Sequence, residues 1–123
     1  METKARAADP RTAPTAAGDD WTEVPASGCG VERTLRVLDG KWTTLIVREL
    51  LTGPRRFGEL RAALGEPSAK TITDRLRALE HQGILTRTVH AEVPPRVVYA
   101  LTDRGRSLRS VLDAMLVWGE QQG

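Results

Sequence analysis

Between Ser68 and Gly83 the chain reads SAKTITDRLRALEHQG, and its polar side chains have the chemistry of nucleic-acid contact. Lys70 can pair with guanine acceptors, and Thr71 and Thr73 can hydrogen-bond a base or touch the thymine methyl. Asp74 can accept from a cytosine amino group. A carboxylate among phosphates is repelled, however, unless it bonds cytosine or pairs with a cation. An i,i+4 pair with Lys70 is therefore an equally good reading of Asp74. Arg75 and Arg77 suit phosphate oxygens, and Ser68 joins this set as the residue that starts the segment.

Further candidate phosphate contacts lie on both sides of it. Arg87, His90 and Arg96 flank a loop containing Pro94 and Pro95 and could reach a backbone. Lys41 and Thr43 stand near a helix start, where free N–H groups favour an anion, and Arg55 and Arg56 follow at the next turn. Each of these four is as readily a solvated surface residue.

These residues need elements to position them. Ile72, Leu76 and Leu79 recur at helical spacing, with Ser68 a good N-cap and Gly83 a good stop, so a helix over about 68–82 is expected. At about 100° per residue, Lys70, Thr73, Asp74, Arg77 and His81 fall opposite the apolar stripe, with Thr71 and Arg75 on its flank. Two β-branched runs, ILTRTV and VVYAL, then predict a hairpin over about 84–101. Proline cannot donate to a ladder, which places Pro94 and Pro95 in its loop.

Upstream, Trp42, Leu45, Ile46 and Leu50 mark one helical face, and Phe57, Leu60 and Leu64 another after a turn at Gly53 and Pro54. The short link GEP then forces a helix-turn-helix corner. Downstream, Thr102 is the expected N-cap of a helix with Leu108, Val111, Leu112, Met115 and Trp118 on one stripe, widened by Leu116 and Val117. VERTLRVL places Val31, Leu35 and Leu38 in register. The expected class is thus mainly α with a small β-hairpin (α+β): three helices and a wing, preceded by a mobile tail over 1–27 and with the domain over 28–123. Trp21 is the one aromatic in that tail and reads equally as a docking residue or an exposed one.

Composition is compatible with one domain and a tail: 123 residues, 40% hydrophobic, and no apolar run near the roughly 20 residues of a membrane span. The net charge of +2, from 18 Lys+Arg against 16 Asp+Glu, is too small to argue for nucleic acid, so the local excess between Lys70 and Arg106 has to. His81 and His90 form no legible catalytic or metal arrangement with the single Cys29, and the eleven glycines make no phosphate loop. Neither an enzyme nor a cofactor or metal site is expected. With one cysteine there is no intrachain disulfide, and a reducing cytoplasm is the expected compartment.

The order CGVERTLRVLDGKWTTLIVRELLTGPRRFGELRAAL, SAKTITDRLRALEHQGIL, VPPRVVYALTDRGRSL resembles the HxlR family of bacterial winged helix-turn-helix transcription regulators, over Cys29 to Gly119. The resemblance implies a homodimer paired through N- and C-terminal dimerisation helices, on a pseudo-palindromic double-stranded DNA operator, with repression the expected sign. It also implies an N-terminal cysteine that senses oxidants or electrophiles, here Cys29, set against a plain packed thiol. A small-molecule pocket lined by Trp42, Met115 and Trp118 is a further expectation, set against simple core roles for the three. The alternative function is a winged-helix protein-interaction module, because fold does not settle function.

Overall fold

The computed structural model describes residues 29–122, so the expected tail over 1–27 and Trp21 lie outside the described residues. The described residues divide into two units between Arg36 and Val37. Helix α1 (Gly30–Val37), all but its last residue in the first, has Glu32 in its first turn and Arg36 in its last, the charge order that a helix dipole favours. Val31 and Leu35 on it are exposed.

In the second unit, α2 (Thr43–Leu50) follows a tight approach in which Gly40 and Trp42 both have positive φ. Ile46, Val47 and Leu50 are its buried face. Leu45, expected on that face, is exposed: Trp42 takes a left-handed φ of 79° and stands outside the helix, so the stripe is set by Thr43, Ile46, Val47 and Leu50 instead. Next come strand β1 (Arg55–Arg56) and helix α3 (Phe57–Ala63), whose Leu60 is fully buried with Phe57 and Leu64 packed against the core.

Helix α4 (Ala69–His81) has both ends specified by sequence. Ser68 Oγ accepts from the Thr71 N–H at 3.3 Å, satisfying one of the free donors of the first turn. At the other end Gly83, with φ 76°, donates to Glu80 O at 3.0 Å while Ile84 N–H reaches Leu79 O at 2.9 Å. That pair of bonds is a Schellman closure, and it needs the left-handed φ that glycine adopts without strain. Ile72, Leu76 and Leu79 are all buried, contributing roughly 1.5–3 kcal/mol each relative to exposure. Leu76→Ala alone would cost roughly 2–5 kcal/mol.

Strands β2 (Leu85–His90) and β3 (Arg96–Leu101) form the hairpin, with Leu85 opposite Leu101, Arg87 opposite Tyr99 and His90 opposite Arg96. The sheet has three strands rather than two, in the order β1-β3-β2, all antiparallel, because Arg55 and Arg56 pair with Tyr99 and Val98. Two charged residues show no alternation, so sequence periodicity had no means of revealing β1.

The C-terminal run is also not one helix. Thr102 caps a single turn, α5 (Asp103–Arg106), its hydroxyl accepting from Gly105 N–H at 3.0 Å and donating to Gly83 O at 2.6 Å. Gly105 lies so close to the chain that an added Cβ would stand 2.1 Å from Ile84 O. Helix α6 (Arg109–Gln122) follows, with Leu112 in the core and Leu108 packed against it. Met115, Leu116, Val117 and Trp118 are exposed, whereas Leu38, in register with the exposed Val31 and Leu35 in the sequence, is buried in the core of the second unit.

Candidate nucleic-acid interface

The capped ends of α4 fix which side chains face outward, and at its first turns these are charged and paired. Lys70 Nζ donates to Asp74 Oδ2 at 2.9 Å, with the Lys70 side chain 84% exposed. Of the two readings of Asp74, the i,i+4 pair is the one present. The Lys70 hydrogen bond, and then the positive charges of Lys70, Arg77 and Arg75, hold the Asp74 carboxyl below its ordinary value. Thr71 and Thr73 stand half-buried beside the pair. Ser68 is committed to the cap.

Arg75 does not stand free beside them. Its Nε donates to Lys41 O at 2.9 Å and the guanidinium lies over Gly40, where a Cβ would fall 2.6 Å from Nε. One face of Arg75 therefore ties α4 to the turn before α2, a use no local pattern could show. Lys41 is exposed, with its Nζ 5.4 Å from the centroid of the Trp42 ring.

Arg77 and Arg87 come together around a cleft of about 400 Å³, lined by Thr73, Leu76, Arg77, Glu80, Arg87 and Tyr99. Residues opposite one another in an antiparallel pair point to the same face of the sheet. Arg87 shares its face with Tyr99, the core side, and so runs beside α4 instead of out along the wing. His90 and Arg96 occupy the other face with Val98, whose β1 partner is Arg56.

There Arg96 makes an ion pair with Glu92, Nη2 to Oε2 at 2.9 Å. The Arg96 hydrogen bond, and then the charges of Arg96, His90 and Arg56, hold the Glu92 carboxyl down. The wing cations, expected as one projection, are thus split between two faces of the sheet. Arg96 is moreover half-neutralised where it stands.

Two expected phosphate anchors are structural. Thr43 is buried, its hydroxyl donating to Asp39 O at 2.7 Å, so its side chain is out of reach of an anion. Arg55 is held by Glu49 at 3.3 Å, by Thr52 Oγ1 at 2.6 Å and by Pro54 O at 2.9 Å, clamping β1 onto the end of α2. Arg56 is exposed; its N–H donates to Glu59 Oε1 at 2.8 Å.

Trp42, Met115 and Trp118, expected to line a pocket, line neither the α4 cleft nor a second cavity of about 250 Å³ beside Arg48, Leu51 and Leu112. Trp42 packs against the core, and Met115 and Trp118 are exposed. Cys29 is half-buried at the start of α1, where its Sγ accepts from Glu32 N–H at 3.5 Å. Glu80 and Tyr99 were not foreseen at the interface. Tyr99 alternates with Val97 and Leu101 as a core residue, and only the β2–β3 register shows what it faces.

With a capped helix, a corner and a three-stranded wing in place, the HxlR-like helix-turn-helix family matches residues 37–123. This chain belongs to the HxlR family. Over 106 residues, 86% of this HxlR chain and 78% of the relative, it is 47% identical to the uncharacterized HTH-type transcriptional regulator sll1512 of Synechocystis sp.. The HTH-type transcriptional regulator YodB of Bacillus subtilis is 35% identical over 91 residues, covering 74% of this chain and 81% of YodB. Among solved structures, that of the putative HTH-type transcriptional regulator ytcD superposes with a TM-score of 0.72 at 40% identity, over 76% of this chain and 95% of that one. The redox regulator HypR in its reduced form gives 0.71 at 40% identity, over 74% and 90%.

The HxlR chain is accordingly a winged helix-turn-helix transcriptional regulator, a class that does not act by catalysis. No helix among the described residues is long and apolar enough to cross a membrane.

Proposed function

We propose that this HxlR regulator binds double-stranded DNA as a homodimer on a pseudo-palindromic operator and represses transcription, with α4 in the major groove and the β2–β3 wing on the flanking backbone. One observation carries the reading. α4 buries its whole apolar stripe and closes both ends, so the surface it presents is Lys70, Thr71, Thr73, Asp74 and Arg77. Lys70, Thr71, Thr73 and Asp74 are the base readers. Arg77, Arg87, Arg56, Lys41 and the wing residues His90 and Arg96 supply phosphate contacts, with Arg75 bracing the helix.

The exposed apolar residues Met115, Leu116, Val117 and Trp118 on α6 support self-association through that helix. Cys29, at the start of α1, is the site at which an oxidant or electrophile would act; the related HypR is a redox regulator. Replacing Cys29 with Ser tests that role: an unchanged oxidant response in DNA binding removes it.

The main test is fluorescence anisotropy of the reduced protein with a duplex from its own upstream region and a scrambled control, at two salt concentrations. The expected result is sequence-preferring binding that weakens with salt, with a log-log slope of roughly −0.9 per phosphate neutralised. Absence of binding to either duplex would contradict the proposal and favour a protein-interaction role.

A further inference from the structure

We propose that the cleft between α4 and the β2–β3 strands is an effector site for a small phosphate monoester that carries hydroxyl groups, a sugar phosphate in chemical class. Thr73, Arg77 and Glu80 follow one another at helical spacing along α4, and Arg87 and Tyr99 oppose them as a cross-strand pair. The cleft is open to solvent, and its volume of about 400 Å³ is the size of a small-molecule site.

The lining selects the ligand. Neither Arg77 nor Arg87 has an ion-pair partner among the described residues, and both residues line this one cavity. Two forks of N–H donors match the oxygens of a phosphate better than a single charge. Leu76 and Tyr99 are only 2% and 9% exposed, and the larger share of the cleft wall is polar, so a polar ligand is favoured there over a greasy one. Glu80, an acceptor without donors when ionised, takes hydroxyl protons and repels a second phosphate at its end of the cleft. The Thr73 hydroxyl can donate or accept. A phosphate on the arginines with hydroxyls toward Glu80 and Thr73 gives each of these four side chains a polar partner.

Occupancy has a consequence for DNA that rests on the function proposed above. Thr73 and Arg77 lie on the reading face of α4, so a bound phosphate monoester uses the cations that would meet the DNA backbone. Ligand and DNA then compete, each lowering the other's affinity by the same factor, here about tenfold or more.

The test starts without DNA. The full chain, labelled with nitrogen-15, is titrated at constant ionic strength with glucose 6-phosphate, with inorganic phosphate and with glucose, and amide shifts are followed by NMR. Glucose 6-phosphate is expected to give saturable shifts at Thr73, Arg77, Arg87 and Tyr99, inorganic phosphate the same shifts at least about tenfold more weakly, and glucose none. Arg87→Ala, an exposed strand position, and separately Arg77→Ala are each expected to abolish the saturation.

Equal affinity for phosphate and its sugar ester would overturn the proposal, reducing the cleft to a seat for any phosphate, a DNA backbone phosphate included. Shifts that never saturate would overturn it as well. In a second arm glucose 6-phosphate is added to the DNA complex, where release of the duplex supports the effector role and undisturbed binding refutes it. A chain that bound the sugar phosphate but never bound DNA would refute the DNA reading and leave the ligand site standing.

Discussion

Lys70 and Asp74 form an ion pair of 2.9 Å on the first turns of α4, so the surface proposed to read DNA carries its own counter-charge. If α4 enters the major groove as proposed, the pair presets the Lys70 ammonium on the groove-facing side and leaves Asp74 to be repelled by any phosphate that approaches without displacing it. A surface of this kind binds random DNA less well than its arginines alone would.

Asp74→Asn is therefore expected to raise affinity for a scrambled duplex several-fold, to steepen the salt dependence, and to raise operator affinity less. Anisotropy titrations with both duplexes measure the ratio. If operator binding collapsed while scrambled binding stayed constant, Asp74 would instead be a cytosine reader.

The same residue makes a prediction about acid. Asp74 and Glu92 have folded-state pKa values below their ordinary 3.8 and 4.5, held there by Lys70 and Arg96 respectively. A depressed carboxylate contributes stability above its unfolded pKa and loses it as pH falls through the folded value. Chemical denaturation from pH 6 down to about pH 3 should show a shallower acid loss in the double variant D74N/E92Q than in the wild type.

Arg87 and Arg96, both wing residues, should differ. Arg87 lines the α4 cleft without an ion-pair partner among the described residues, whereas Arg96 is on the opposite face and paired with Glu92. Arg87→Ala is expected to weaken operator and scrambled duplex alike and to reduce the salt slope by about 1. Arg96→Ala should do so by less. Equal losses would mean that DNA strips Arg96 from Glu92.

Thr43 separates stability from binding. Its buried hydroxyl donates to Asp39 O at 2.7 Å, so Thr43→Val should cost about 1 kcal/mol of stability, since it leaves that carbonyl short of a partner. DNA affinity of the folded fraction should not change. Urea melts and anisotropy on the same preparation check both.

Trp118 is exposed on the far part of α6, beyond the last core contact at Leu112. Trp118→Ser is expected to shift sedimentation velocity profiles from dimer toward monomer at a given concentration. An unaltered dimer would place self-association elsewhere.

How much of this was legible in the sequence depends on the range of the interaction. The Ser68 cap, the Gly83 stop, the Ile72, Leu76 and Leu79 stripe and the Thr102 cap are local, and each is found where its residue type demands. β1 escaped because two residues carry no periodicity. Arg75 and Arg55 read as free cations, yet their partners, Lys41 O and the Glu49 carboxylate, are supplied by other parts of the fold. The separation of Arg87 from Arg96 depends on hairpin register, which side-chain types alone leave open. The apolar stripe of α6 was visible in full, but only contact with the core decides that it is buried at Leu112 and exposed at Trp118.

The most direct test of α4 as the reading helix is dimethyl sulfate protection of the upstream duplex, which reports guanine N7 in the major groove separately from adenine N3 in the minor groove. The expected result is two clusters of protected guanine N7 positions centred about 10 base pairs or a multiple of that apart, lost in a Lys70→Ala, Thr73→Ala variant that remains folded. Protection confined to adenine N3, or guanine protection that survives that variant, would contradict it.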